Sequence, residues 1–371
     1  MTFRFLAYSD IHHDNYTNGI TLGDTIAIED GITDYAISQG MNTVLFGGDW
    51  YRATNPTQEV IKAAEASWVR RSNADITTIT TPGNHDRWTK SITSGHAFGG
   101  VNIFNNDLKN VKVFDEIGVY STPEVDILFL PAGWENTPIN HVKERPLIIV
   151  FHGLISGSLL ASGIKANGVD PNIIKSANPD LVLGGDNHTP QSLEKLFGCP
   201  AFYLGAPLQH TWGDAGQARG FWIISYENGR FNCEMIPTPS PRFVKKQVPA
   251  NTEIEALCNS IDILNKELEN CSIPGIIELT LVGRNVTNID LNNLGEHISR
   301  ALAFNKRQLR IIADKTFDRL EVVQGISEAK TPEDKWNMYV ADGKATGIKE
   351  MNPKLLSEIG TWAIQEARKP T

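Results

Sequence analysis

At 371 residues and a net charge of −9, the chain is long enough for a large core and a second module, and it lacks the overall basic footprint of a nucleic-acid binder. Any contact with DNA is therefore expected to be local or supplied by a partner. The cysteines Cys199, Cys233, Cys258 and Cys271 have neither CxxC spacing nor the density of a small secreted framework, and read as reduced, packed thiols.

In chain order, the opening Met1-Thr2-Phe3-Arg4-Phe5 runs into a first strand, Phe5-Leu6-Ala7-Tyr8, without the basic and apolar regions of a signal peptide. No stretch approaches membrane-spanning length, so no membrane contact and a cytoplasmic location are expected. Residues 24–40 carry Ile28, Ile32, Tyr35 and Ile37 near helical spacing, with Gly40 as a stop. A strand over 43–46 follows, then a helix over 57–72 through Val60, Ile61, Ala64, Trp68 and Val69, then a strand over 76–80. Further on, 127–130, 147–151 and 181–183 read as strands, with a helix over 171–176. Strands over 201–204, 221–226 and 231–236 come next, the last two joined by the turn signal Asn228-Gly229. Alternating strands and helices predict largely parallel sheet, here two sheets sandwiched between helices.

The run Pro237-Thr238-Pro239-Ser240-Pro241 reads as a boundary closing a domain over 1–240. Beyond it, helices over 253–269 and 291–303 alternate with strands over 275–282 and 309–313, a small α/β domain over 241–316. Residues 317–332 read as a linker. Residues 333–371 carry Trp336, Tyr339, Leu355, Leu356, Ile359 and Trp362 on two short helices, expected to dock on a partner or back on their own domain.

Five polar clusters stand directly after the buried strands of the first half: Asp10-Ile11-His12, Gly48-Asp49, Gly83-Asn84-His85-Asp86, His152-Gly153 and Gly185-Asp186-Asn187-His188. Ligands in layered α/β folds bind beyond the carboxyl ends of strands, so clusters far apart in sequence converge there. Any one of them alone is more often a turn than a ligand set; five in this placement point to a dinuclear metal site. Carboxylate, imidazole and amide oxygen suit manganese, iron, zinc or magnesium. Two such ions about 4 Å apart clamp the attacking and leaving oxygens of an in-line phosphoryl displacement, and one carboxylate must bridge them.

The order DxH, GD, GNHD, H and a final G-x-x-H resembles the calcineurin-like metallophosphoesterases. Within them it is most similar to the nuclease subunits of SbcCD-type and meiotic-recombination complexes, those of T-even phages above all. Gly47-Gly48-Asp49-Trp50-Tyr51, Tyr203-Leu204-Gly205-Ala206-Pro207 and Arg219-Gly220-Phe221-Trp222 carry the likeness further, over roughly 1–240. The resemblance implies a four-layer α/β/β/α sandwich, a small α/β domain capping the active site over DNA, and C-terminal helices that bind an ATPase. It implies a manganese-dependent DNA exonuclease and endonuclease subunit of a recombination, repair and replication complex, hydrolysing phosphodiester bonds by a two-metal mechanism. The partners implied are DNA, an SMC-like ABC-type coiled-coil ATPase and a second copy in a homodimer, in the host cytoplasm if the source is viral.

By the same resemblance, Asp10, His12, Asp49 and His188 hold one Mn2+ and Asp49, Asn84, His152 and Asp186 the other, with Mg2+ as the alternative ion. His85 stabilises charge on the phosphorus or protonates the leaving oxygen, and Asp86 orients His85 or a ligand. Two residues depart from the pattern. Asp186 stands where the family usually has histidine; its extra carboxylate lowers the site's charge and is expected to favour hard ions. Arg52 stands near where relatives carry a histidine, and reads either as an exposed loop arginine or as a holder of a backbone phosphate. His13, His96, His141, His210 and His297 lack a motif and read as surface or satisfied histidines. Arg242, Lys245, Lys246, Arg300, Lys306, Arg307 and Arg310 are the basic clusters, explained as well by a solvated surface as by DNA. A small-substrate phosphodiesterase or phosphoprotein phosphatase is the alternative function, and a non-catalytic scaffold a third; His85 beside a full ligand set argues against the scaffold.

Overall fold

The computed structural model describes residues 3–239 apart from 90, 99–107, 109, 140 and 161, together with 243–249, 276–282, 308–314 and the single residues 256, 259 and 294. The expected linker and C-terminal helices, most of the two helices expected over 253–303, Arg242, Arg300, Lys306, Arg307, His297, Cys258 and Cys271 lie outside the described residues. These residues divide into two compact units, one over 3–244 with Ile276 and Gln308, the other over 245–249, 277–282 and 309–314.

The chain opens with β1 (Phe3–Tyr8), a small hairpin of β2 (Tyr16–Thr17) and β3 (Ile20–Thr21), α1 (Leu22–Ser38), β4 (Thr43–Phe46), α2 (Gln58–Asn73) and β5 (Thr77–Thr80). There follow β6 (Val111–Val113), β7 (Gly118–Ser121), β8 (Asp126–Leu130), β9 (Leu147–His152), β10 (Leu181–Gly185), β11 (Gln191–Ser192) and β12 (Ala201–Tyr203). The hairpin of β13 (Gly220–Glu227) and β14 (Arg230–Pro237) precedes β15 (Phe243–Pro249), β16 (Ile276–Val282) and β17 (Gln308–Asp314). Asn228 and Gly229 both take positive φ, 51° and 78°, as a tight hairpin turn between β13 and β14 requires.

Two six-stranded sheets result, ordered β14-β13-β1-β4-β5-β6 and β11-β12-β10-β9-β8-β7. The runs β1-β4-β5-β6 and β12-β10-β9-β8 are parallel. Alternation along the strands sorts the core into layers. Phe5, Ala7, Leu45 and Ile79 of the first sheet meet Ile127, Phe129, Ile148, Val150 and Leu183 of the second in the central layer. On the outer face of the first sheet, Leu6, Tyr8, Val44 and Phe46 pack with Ile28, Ile32, Val60, Ala64 and Trp68 of α1 and α2. On the outer face of the second, Ile149, Phe151, Val182 and Tyr203 pack with Ile174 and Phe197 of two short helices. The order is helix, sheet, sheet, helix, the four-layer sandwich.

Helix α1 starts at Leu22 because Thr21 caps it: its Oγ1 accepts from Asp24 N at 3.3 Å while Asp24 Oδ2 accepts from Thr21 N at 2.8 Å. Thr57 caps α2 with a single bond, its Oγ1 accepting from Val60 N at 3.4 Å. A buried polar knot ties both helices to β1. Arg71 of α2 donates to Glu29 of α1 and, at 3.0 Å, to the Tyr8 hydroxyl, which itself donates to Glu29 at 2.7 Å. Tyr8 is the last residue of β1, so this knot fixes the strand end from which the first polar cluster departs. Beyond Val244, the strands β15-β16-β17 form a three-stranded sheet.

Candidate metal centre

All five clusters leave the carboxyl ends of parallel strands, β1, β4 and β5 in one sheet and β9 and β10 in the other. The loops after β1 and β4 are zipped together by backbone hydrogen bonds, Asp10 N to Gly48 O at 2.9 Å, His12 N to Asp49 O at 3.1 Å and His13 N to Trp50 O at 2.8 Å. The backbone there is left-handed, with φ of 57° at Asp10, 52° at His12 and 61° at Asp49, as it is at Asp186 after β10, with φ of 81°. That conformation costs roughly 1 kcal/mol for a residue with a Cβ, and its concentration here marks a site where position outweighs local ease. Gly83 is required by contact: a Cβ there would lie 2.0 Å from Asp49 Oδ1.

Three ligand-type groups converge, Asp10 with His12 and His188, His12 with Asp49 and His85, and Asp10 with Asp49 and His152, the atoms of each group lying within 4.8 Å of one another. Asp49 stands between two sets of acceptors. Its Oδ2 lies 3.5 Å from His12 Nε2, which is 3.0 Å from His188 Nε2. Its Oδ1 lies 3.4 Å from His152 Nε2, which is 2.9 Å from Asn84 Oδ1. Turned the other way, the Asn84 amide nitrogen would donate to His152 and to both Asp49 oxygens. What sits among them decides the orientation, and a cation selects the oxygen. This donor set, hard oxygens and imidazoles sharing one carboxylate, fits two divalent cations.

The electrostatics agree. Burial lifts the Asp10 carboxyl to about 8, with Asp49 and Asp186 adding to the lift, although Ser9 Oγ donates to it at 2.5 Å and Asp186 N at 3.1 Å. Crowded carboxylates of this kind are the ones that a divalent cation stabilises as anions. Burial and neighbouring positive groups push His12 well below its ordinary range, and burial puts His188 at about 4, so both rings are neutral with lone pairs available at neutral pH. Burial opposes the proton on His152, but Asp49, Asp10 and Asp186 raise its pKa well above the ordinary value. His152 Nδ1 donates to Gly47 O at 2.8 Å, which orients Nε2 toward Asp49 and Asn84.

His85 is half-buried, and its Nδ1 donates to the Arg52 carbonyl at 2.8 Å. Asp86, grouped with His85 by sequence, is fully buried instead. Its carboxylate accepts from Asp49 N at 2.8 Å, Tyr51 N at 2.9 Å, Gly83 N at 2.9 Å and Trp50 N at 3.2 Å. These four bonds hold the loop that carries Asp49. The half-buried Arg52 bears on the same cluster, its charge helping to depress His12, His188 and His210. Asp186 belongs to none of the three ligand groups, but it lines a cleft of about 770 Å3 with Asn84, His152, Gly153 and Glu135.

His210, read from sequence as an ordinary histidine, is 4% exposed and donates Nε2–H to Asp10 O at 2.9 Å, with its ring 5.1 Å from those of His12 and His188. Arg219 donates to the His188 carbonyl and, at 2.7 Å, to Asp214, whose other oxygen accepts from His210 N at 2.9 Å. The Arg219-Gly220-Phe221-Trp222 run signalled part of this brace; nothing in the spacing signalled His210.

Comparison with known proteins identifies the family. The chain is 26% identical over 285 residues to Exonuclease subunit 1 of Enterobacteria phage T4, covering 75% of each protein. Its fold is similar to that of a dimetal phosphatase from Danio rerio (TM-score 0.44, 11% identity, 64% of this chain and 96% of the other). It is likewise similar to a purple acid phosphatase from yellow lupin seeds (TM-score 0.40, 13% identity, 63% and 52%). The calcineurin-like phosphoesterase family model matches residues 3–190, a span that holds all five polar clusters, and the chain belongs to that family.

Proposed function

We propose that this chain is the nuclease subunit of a DNA recombination and repair complex, hydrolysing phosphodiester bonds with two Mn2+ ions and working with an SMC-like ABC-type coiled-coil ATPase as a homodimer. Family membership makes it a metal-dependent phosphoester hydrolase. The nuclease reading rests on the exonuclease relative from phage T4. The shared Asp49 carboxylate is the observation that carries the two-ion site.

In this reading Asp10, His12, Asp49 and His188 hold one ion and Asp49, Asn84, His152 and Asp186 the other. The ions would supply an activated water and neutralise charge on the phosphate. His85 Nε2 delivers a proton to the leaving oxygen, held to that task by the Nδ1 bond to Arg52 O. Arg52 holds a non-reacting phosphate oxygen through its guanidinium. Asp86 keeps Asp49 in place through the amides of 49–51 and Gly83. The test is hydrolysis of linear DNA beside bis(4-nitrophenyl) phosphate, with Mn2+ and with or without an added coiled-coil ATPase of this class. DNA cleavage that the ATPase stimulates is expected; rapid hydrolysis of the small diester with intact DNA would favour a small-substrate phosphodiesterase.

A further inference from the structure

Trp88 lies two residues past Asp86 and is 66% exposed, a placement unlike that of most tryptophans. The exposed ring is held by a fixed backbone. Trp88 N donates to Gly95 O at 2.9 Å, and the buried Arg87 guanidinium donates to the carbonyls of Ile92 at 2.7 Å, Ser94 at 3.0 Å and Asp115. The ring leans on Gly95: a Cβ there would lie 2.4 Å from Cζ3 and 2.5 Å from Cε3, so the glycine lets the indole rest against backbone. The next residue, Thr89, lines the cleft that also contains Asn84, His152 and Asp186.

A recess of about 300 Å3 beside the ring is also lined by Gly95, His96, Asp115 and Glu116. Its chemistry selects among the parts of a nucleic acid. The two carboxylates repel a phosphate, and the two Nη atoms of the buried Arg87 guanidinium are already committed to three carbonyls, leaving only its Nε–H without a partner. An uncharged, flat base presents a π-face to the indole and exocyclic amino donors to the carboxylates.

We propose that Trp88 is a stacking platform for an unpaired base of the strand being cut, favouring cytosine, adenine and guanine over thymine, which alone has no exocyclic amine. This rests on the nuclease reading above. The test is steady-state hydrolysis by the Mn2+-loaded full chain of single-stranded oligonucleotides, intact or with one abasic position, beside bis(4-nitrophenyl) phosphate. Trp88→Ala is expected to raise KM for the intact strand about tenfold or more, the effect of losing one base–aromatic stack. Trp88→Tyr should restore most of it, and the small diester should be hydrolysed unchanged by both. One abasic position should raise the wild-type KM by a similar factor and leave Trp88→Ala unaffected. An unchanged KM in Trp88→Ala, or additive losses at every abasic position, overturns the platform while leaving the nuclease reading intact. Hydrolysis of the small diester with no cleavage of any oligonucleotide overturns both.

Discussion

His85 and Asp86 are neighbours with opposite environments, and the difference sorts their roles. His85 has one ring nitrogen committed to Arg52 O and the other unengaged by any described residue. Asp86 has both carboxylate oxygens committed to four backbone amides. His85→Asn is therefore expected to lower kcat on DNA by about 10²–10⁴, the usual contribution of a general acid, while Mn2+ affinity holds. Asp86→Asn turns an NH2 toward amide donors. It is expected to cost about 1–3 kcal/mol of stability in urea unfolding and to weaken Mn2+ binding through displacement of Asp49. Equal metal affinities in the two variants would contradict this division.

At the scale of elements, the knot of Arg71, Glu29 and Tyr8 joins α1, α2 and β1 in a region where neither charged side chain is exposed. Removing one charge leaves the other buried and unpaired. Arg71→Met is expected to destabilise by about 3–5 kcal/mol, and Arg71→Met with Glu29→Leu to recover much of that loss in the same unfolding assay. The loop carrying His96 provides a pH signature. Burial holds the His96 ring below its ordinary 6.5, against the opposing pull of Asp115, whose Oδ2 lies 3.3 Å from Nε2. The folded ring stays neutral at pH values where the unfolded ring takes up a proton. Its contribution to stability is thus full above pH 6.5 and lost as pH falls through the lowered folded value. Urea unfolding at pH 7.5 and 5.5 should show a smaller pH difference in His96→Gln than in the wild type; identical differences would refute the assignment.

Across the whole molecule, the parts legible in the sequence are those where burial and chemistry alternate sharply. Buried apolar runs such as 43–46 and 181–183 ended in polar clusters, and that contrast placed Asp10, Asp49, Asn84, His152 and His188 at strand ends before any contact was known. Short pieces such as β6, β7 and β11 were not legible, because two to four residues carry no period and their pairing is set by neighbours. His210 and the Asp214–Arg219 brace escaped for another reason: they reach Asp10 and His188 only when the chain returns to the first sheet at β13. For Asp86 the resemblance implied that it orients His85 or a ligand; that it does so through the amides of 49–51 and Gly83 is not legible, because bonds to backbone leave no pattern in residue types.

The account depends above all on one carboxylate, Asp49, serving two cation sites at once. Calorimetric titration of the chelator-treated chain with Mn2+ tests this directly, on the wild type and on Asp49→Ala. Two ions per wild-type chain, and loss of both in Asp49→Ala, are expected. A single ion in the wild type, or two ions retained by Asp49→Ala, would contradict it.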